Sequence, residues 1–487
     1  MRNLYRLILL VGFFSATKCS NNQNGSTTVN HSSIKSGYFV IMNESFETPM
    51  ILLIDRDKKS EDELSVIRSK KIDTIRNYFA KKYGLDIPIS SVIVDVGIGF
   101  TAQMSRSMAD SIRLDSAVMS ADDDINIKLF NPVQEGEPIQ QGEPIQQSSP
   151  TSPLGEPIQQ NLDQVGATIN WNTKAVTMVG GPVSGSDPNR RIWIVDTGIA
   201  RHPAVKDNIE QAMAVNYVNG TFGMNSADDD NGHGTHVAGI ASGNPIRLKN
   251  QLGNVMNITF GVSPGAKIVP LKVLDSYGHG KLGNLKFALI HIRDFANQGD
   301  VVNLSLGTNC IPSCAGGLPG VKALIDEIAK KCIYVVMASG NDAGDAGQNS
   351  PGCLDAPPAN PTHACPTCPN CPKYVVTVGA VDYRIDPVTG LNTLQCAFYS
   401  NNGPAVDYLE IGTNVFSTYL KTTRAVVASN PPDANYDGWQ YTLMSGTSMS
   451  TAVISGLIHS TAGGALNSSV SPQCPNPSPA SYKIAKR

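Results

Sequence analysis

"RRIWIVDTGI", residues 190–199, decides the fold. Two arginines lead into an unbroken apolar run that stops at Asp196, with Gly198 two residues on. A short continuous apolar run reads as a buried strand. The pattern returns in "AKIVPLKVL" (266–274), "DVVNLSL" (300–306), "CIYVVMAS" (332–339) and "KYVVTVGAV" (373–381). Helical stretches, "NLKFALIHIRDFANQ" (284–298) and "PGVKALIDEIAKK" (319–331), fall between some of them. Strands alternating with helices predict a parallel sheet covered on both faces, an α/β fold.

In such sheets the reactive residues gather at the carboxyl ends of strands. Asp196 closes the first run. His233 stands in "DDDNGHGTHVAGIASG" (228–243) and Ser448 in "SGTSMST" (445–451), each where a loop enters a helix. Taken singly, each has an ordinary explanation as a cap or a loop residue. Together they supply three complementary roles. A serine hydroxyl is a poor nucleophile at neutral pH and needs a base. That base needs a third group to fix its tautomer and stabilise its charge. The glycines around them, Gly198, Gly232, Gly234 and Gly446, let a peptide backbone approach closely.

Residues 36–130 read as a separate small α+β unit. "GYFVIM" is a strand. Ser60 and Glu63 form a capping box ahead of a helix whose apolar face carries Leu64, Ile67, Ile75 and Phe79, and Gly84 ends it. Two strands in "SSVIVDVGIGFTAQM", a short helix marked by Met108 and Ile112, and a last strand near "DINIKLF" complete a ferredoxin-like order. Residues 131–160 follow as a linker with three copies of "GEPIQQ", at 136, 142 and 155. Such a Pro- and Gln-rich stretch buries no core and is expected to be exposed and cleavable.

The chain has 487 residues and a formal charge of −3. That balance argues against nucleic acid as a partner, because a phosphate backbone calls for a basic surface. Residues 1–20 read as an export signal: Arg2 and Arg6, then a short apolar run from Leu7 to Phe14. Secretion is expected. The alternative is a lipoprotein anchored at the membrane through Cys19, although Lys18 precedes that cysteine where lipoprotein signals have a small residue. Export predicts disulfides among Cys310, Cys314, Cys332, Cys353, Cys365, Cys368, Cys371, Cys396 and Cys474, at least one of which stays unpaired. Cys365, Cys368 and Cys371 have metal-like spacing, but a stapled loop is preferred to a zinc or iron–sulfur site.

The blocks "IVDTGI", "NGHGTHVAGIASG", "GVSPGAKIVPLKVLDSYGHG", "VVNLSLG", "VVMASGND", "YVVTVGAVD" and "GTSM" stand in the order of the subtilisin-like serine proteases. Residues 165–465 resemble that family, the subtilases, and the order Asp, His, Ser is the subtilisin one. The resemblance implies a three-layer subtilisin-like domain at 161–487, with a mostly parallel central sheet. It casts Asp196 as orienting acid, His233 as general base, Ser448 as nucleophile and Asn341 as an oxyanion-hole donor. Gly278, His279 and Gly280 on one side, and Ser305, Leu306 and Gly307 on the other, would hold an extended polypeptide substrate by strand addition. Residues 36–130 resemble the inhibitory propeptide of the family, whose tail would occupy the cleft until cleavage in the "GEPIQQ" linker.

Three departures from the family pattern stand out. Ala452 replaces a proline that usually follows the nucleophile, at a position read as the first helical turn. Ala204 stands where many subtilases carry an aspartate ligand for calcium, which puts that site in doubt; no cofactor is expected to be required, and a structural calcium stays open with its sites not assignable. His236, one helical turn after His233, is not a departure and is read as structural rather than metal-binding. Residues 343–372 form a Cys- and Pro-rich insertion near the cleft. The expected protein is a secreted serine endopeptidase made as a self-processing zymogen. The alternative is a weakly active or inactive subtilase-like surface binding protein.

Overall fold

The computed structural model describes residues 35–130 and 168–486, apart from short gaps and the longer stretches 47–59, 309–317, 356–373, 386–391, 422–438 and 469–481. The signal segment with Cys19, the linker, and Cys310, Cys314, Cys365, Cys368, Cys371 and Cys474 therefore lie outside the described residues.

The N-terminal unit runs β1 (Lys35–Met42), α1 (Glu61–Tyr83), β2 (Val92–Ile93), β3 (Gly99–Ser105), α2 (Arg106–Arg113) and β4 (Val118–Asp123). Its sheet has the order β2-β3-β1-β4 and is antiparallel throughout. Helix α1 starts where its capping box predicts. The Ser60 hydroxyl accepts from the Glu63 N–H at 3.3 Å, and the Glu63 carboxylate accepts from the Ser60 N–H at 2.8 Å. Leu64, Ile75 and Phe79 are buried against Phe100, Ile112 and Val40, and Ile67 packs at the edge of that core.

One expectation is corrected here. The fourth strand of this sheet is β4, not "DINIKLF". Residues Asn126–Leu129 form a further strand, β5, which leaves the unit and pairs elsewhere. The turn Asp124–Ile125 separates the two, and the alternation of buried Ile127 and Leu129 with exposed Asn126 and Lys128 serves a different surface.

The second region carries the sheet that the apolar runs announce. Its strands are β6 (Arg191–Asp196), β7 (Lys267–Lys272), β9 (Val301–Leu304), β11 (Tyr334–Ala338), β12 (Val375–Ile385) and β13 (Tyr408–Ile411). They are parallel, in the order β13-β12-β11-β9-β6-β7; short parallel strands extend the sheet at both margins, and antiparallel strands pair with those and with β12. Nearly every residue of β6, β9 and β11 is buried, which requires cover on both faces. The cover comes from α3 (His233–Ser242) packed on α6 (Thr447–Ser460), and from α4 (Leu282–Phe295) packed on α5 (Pro319–Lys330). The α/β class and mostly parallel sheet read from the sequence are those of the structure.

The two regions share an interface. The Phe39 and Phe287 rings meet edge to face at 4.8 Å, from β1 and α4 respectively. Lys286, fully buried on α4, donates to the Asp122 carboxylate of β4. β5 adds a third contact. It is the middle strand of a three-stranded antiparallel sheet with β8 (His279–Lys281) and β10 (Leu306–Gly307). Among the described residues, no helix is long and apolar enough to cross a membrane.

Candidate active site

Asp196 is the last residue of β6 and is fully buried. His233 is the first residue of α3, and its Nδ1 lies 2.8 Å and 3.0 Å from the two Asp196 carboxylate oxygens. A carboxylate there holds the proton on Nδ1 and leaves Nε2 as the basic nitrogen. His233 Nε2 is buried and has no hydrogen-bond partner among the described residues.

The loop that delivers His233 is held by a residue that sequence reading overlooked. The Asp229 carboxylate accepts from Thr197 Oγ1 (2.8 Å), the Asn231 and Gly232 N–H groups (2.9 Å each), and Thr235 N–H and Oγ1 (2.9 and 2.6 Å). It thus ties the residue after Asp196 to the first turn of α3. An Asp accepting from backbone two and three residues on is an Asx-type turn, so "DDDNG" carried a legible signal. Lys272, at the end of β7, is a second such residue. Its buried ammonium donates to the Thr197 and Leu274 carbonyls (2.6 and 2.9 Å) and to Asp230 (2.6 Å). A lysine inside an apolar run gives no hint of this in the sequence.

Ser448 is the second residue of α6 and is almost fully buried. Its hydroxyl donates to the Ser305 carbonyl at 3.3 Å. In return the Ser305 hydroxyl donates to the Ser448 carbonyl at 3.2 Å and accepts from Asn303 Nδ2 at 2.8 Å; the Ser455 hydroxyl donates to Asn303 Oδ1 at 3.0 Å. The hydroxyl of Ser448 is therefore parked on Ser305 and is not bonded to His233. Hydrogen bonds between catalytic partners are commonly loose before substrate is correctly seated.

Asn341 follows β11 by a short turn. Its Oδ1 accepts from the Thr447 N–H and Thr447 Oγ1, both at 2.9 Å. Thr447 Oγ1 in turn accepts from the Gly340 N–H at 3.2 Å. With the oxygen end fixed on Thr447, the amide Nδ2 is the end turned toward Gly446, beside the N-terminus of α6.

Of the six residues expected to line the cleft, five flank β5, and Ser305 meets Ser448 just beyond it. The Gly278 carbonyl accepts from the Leu129 N–H at 2.9 Å. His279 and Gly280 lie opposite Lys128 and Ile127, and Leu306 and Gly307 opposite Leu129 and Lys128. Gly278 and Gly307 are glycines for space. A Cβ at Gly278 would sit 2.7 Å from the Leu129 side chain, and one at Gly307 would sit 2.4 Å from the Phe130 ring.

His236 is apart from this site. Its Nε2 is 3.1 Å from the Thr442 carbonyl, and burial pushes its pKa down to about 3. Ala204 is buried and its carbonyl accepts from the Asn244 N–H at 2.9 Å. Asn244 Nδ2 donates to Asn208 Oδ1 at 3.1 Å, so the polar groups around Ala204 satisfy one another. Among the described residues, no group of three or more His, Cys, Asp or Glu side chains is placed to hold a metal ion. The position of Ala452 is a correction. It is the sixth residue of α6, in the second turn, where its N–H is within the helical ladder that ends on the Ser448 carbonyl.

A subtilase family model matches residues 189–463. Subtilisin DY of Bacillus licheniformis is 30% identical over 270 residues, which are 55% of this chain and 74% of that one. The minor extracellular protease Epr of Bacillus subtilis (strain 168) is 31% identical over 254 residues, 51% of this chain but only 31% of that one. Fervidolysin from Fervidobacterium pennivorans, described as a keratinolytic enzyme related to subtilisin, has a TM-score of 0.52 at 17% identity, over 87% of this chain and 54% of that one. At that identity the likeness is one of fold, and it reaches beyond the region the family model covers. The match from residue 189 to residue 463 takes in more than half of the chain, with Asp196, His233, Asn341 and Ser448 inside it, and the chain belongs to the subtilase family.

Proposed function

We propose that the protein is an exported serine endopeptidase, made as a zymogen, whose chemistry runs through Asp196, His233 and Ser448. The observation that carries this is the buried His233 imidazole, fixed at Nδ1 by Asp196, with no partner at Nε2 among the described residues. A base so prepared costs no reorganisation when a proton arrives. Ser448 Oγ attacks a peptide carbonyl carbon and its proton passes to His233 Nε2. Asn341 Nδ2 and the Ser448 N–H hold the oxyanion that forms. The tetrahedral centre collapses, the C–N bond breaks, and the departing amine takes the proton from His233. Water, deprotonated by the same nitrogen, then hydrolyses the Ser448 ester.

Residues 36–130 act as the inhibitory propeptide, and what supports this is β5 seated between β8 and β10 in place of a substrate strand. The substrates are polypeptides, and no cofactor is needed. Export and disulfide bonding are supported by the absence of a free thiol among the described cysteines. The test is labelling with a fluorophosphonate probe. The native chain should label and Ser448→Ala should not; a processed native chain that fails to label would sink the proposal.

A further inference from the structure

The register of β5 names a bond. Leu129 lies opposite Leu306 and Lys128 opposite Gly307. Continuing that antiparallel pairing by one residue sets Phe130 opposite Ser305. The Ser305 carbonyl is the group that accepts the Ser448 hydroxyl at 3.3 Å. Extended by that one residue, the register leads the Phe130 carbonyl toward Ser448.

A slip by one residue is disfavoured. It would turn buried Ile127 and Leu129 outward and bring the Lys128 ammonium in. Phe130 adds its own evidence. It lies past the end of β5 yet is only 6% exposed. Its ring edge and the Ser350 carbonyl both crowd the space that any side chain at Gly307 would fill, at 2.4 and 2.5 Å from a Cβ built there. The ring thus occupies a recess made by the absence of a side chain on β10. Burying an aromatic ring is favourable there, and burying a charge is not.

From these contacts we infer that maturation cuts the Phe130–Asn131 bond, and that the recess beside Gly307 selects a bulky aromatic residue ahead of the bond to be cut. This rests on the peptidase reading given above. Ser448 Oγ adds to the Phe130 carbonyl carbon, the bond to the Asn131 nitrogen breaks, and that amine leaves with a proton from His233. Water then frees the Phe130 carboxylate. The cut falls ahead of the "GEPIQQ" repeats, not among them, so the mature chain keeps its linker.

The experiment is a time course on the full chain, with intact mass and N-terminal sequencing of the earliest products. A first fragment ending at Phe130, with its complement beginning at Asn131, is expected; a first cut within residues 136–160 would overturn the inference. Phe130→Asp should slow that first cut by about tenfold or more, and Phe130→Tyr should leave it nearly unchanged. Equal rates for the two would overturn the assigned recess. Fluorophosphonate labelling of the same samples separates the failures. A chain cut first elsewhere, or not cut, refutes the inference alone, whereas a processed chain that stays unlabelled refutes the peptidase reading with it.

Discussion

Asp229 touches no reacting atom, yet its carboxylate collects donors from both sides of the Asp196–His233 pair. Replacing it with alanine would strand several buried N–H groups, each costing about 1–3 kcal/mol. Asp229→Ala should lower the melting temperature by several degrees and reduce kcat more than it raises KM; Asp229→Asn should recover part of both. Calorimetry and peptide hydrolysis would check this, and an unchanged melting temperature would contradict it. Asn341 makes a different prediction. Its oxygen end is spoken for by Thr447, so its role rests on the amide nitrogen. Asn341→Ala should lower kcat by about 10²–10³ with little change in KM, a range carried over from such a donor in a subtilisin.

At the scale of elements, α1 and β5 show two ways in which a segment finds its place. Helix α1 is specified locally. Its capping box and its left-handed Gly84 terminus, with φ of 63°, are written in adjacent residues. Ser60→Ala should cost about 1 kcal/mol, seen as roughly fivefold weaker amide protection in α1 by hydrogen exchange. β5 is specified remotely. Its alternating pattern says only that one face is buried, and the choice between the sheet of its own unit and the cleft is made by β8 and β10. Ala452 belongs to this scale as well. In the second turn of α6 its N–H joins the Ser305 hydroxyl at the Ser448 carbonyl, a bond that a proline at this position would forgo.

At the scale of the molecule, the interface between the two regions combines apolar contact with a buried ion pair. Lys286 is fully enclosed, and burial draws its pKa down against the pull of Asp122 and Asp124. Removing one partner of such a pair leaves an uncompensated charge, which typically costs about 3–5 kcal/mol. Once the chain is cut, Asp122→Ala should therefore release the N-terminal fragment from the sheet domain, while the native fragment co-elutes with it on size exclusion. Acid stability is a second whole-molecule property. Burial lowers His202, His236 and His291 to about 3 and His459 to about 4. In the unfolded chain these residues titrate near 6.5. Their contribution is fully present above that pH and is lost as the pH falls through the window between about 6.5 and 3. Each contributes a slope of about 1.4 kcal/mol per pH unit there. Melting temperatures measured across pH 8 to 4 should be flat at first and then fall below pH 6.5; a flat profile throughout would refute the neutral, buried state.

The sequence by itself determined the central sheet, because a strand buried on both faces must be apolar at every position, and such runs are visible in one dimension. It also determined which residue types stand at the strand ends and helix entries, since glycines and polar residues interrupt those runs at Asp196, His233 and Ser448. Only the tertiary structure decided what depends on partners distant in the chain. It took β5 out of its own unit and set it against Gly278 and Gly307. It made Asp229 and Lys272 into supports for the Asp196–His233 pair. It turned the Ser448 hydroxyl onto Ser305, opposite Phe130. Periodicity records that a side chain is buried; only the packed fold supplies what it is buried against.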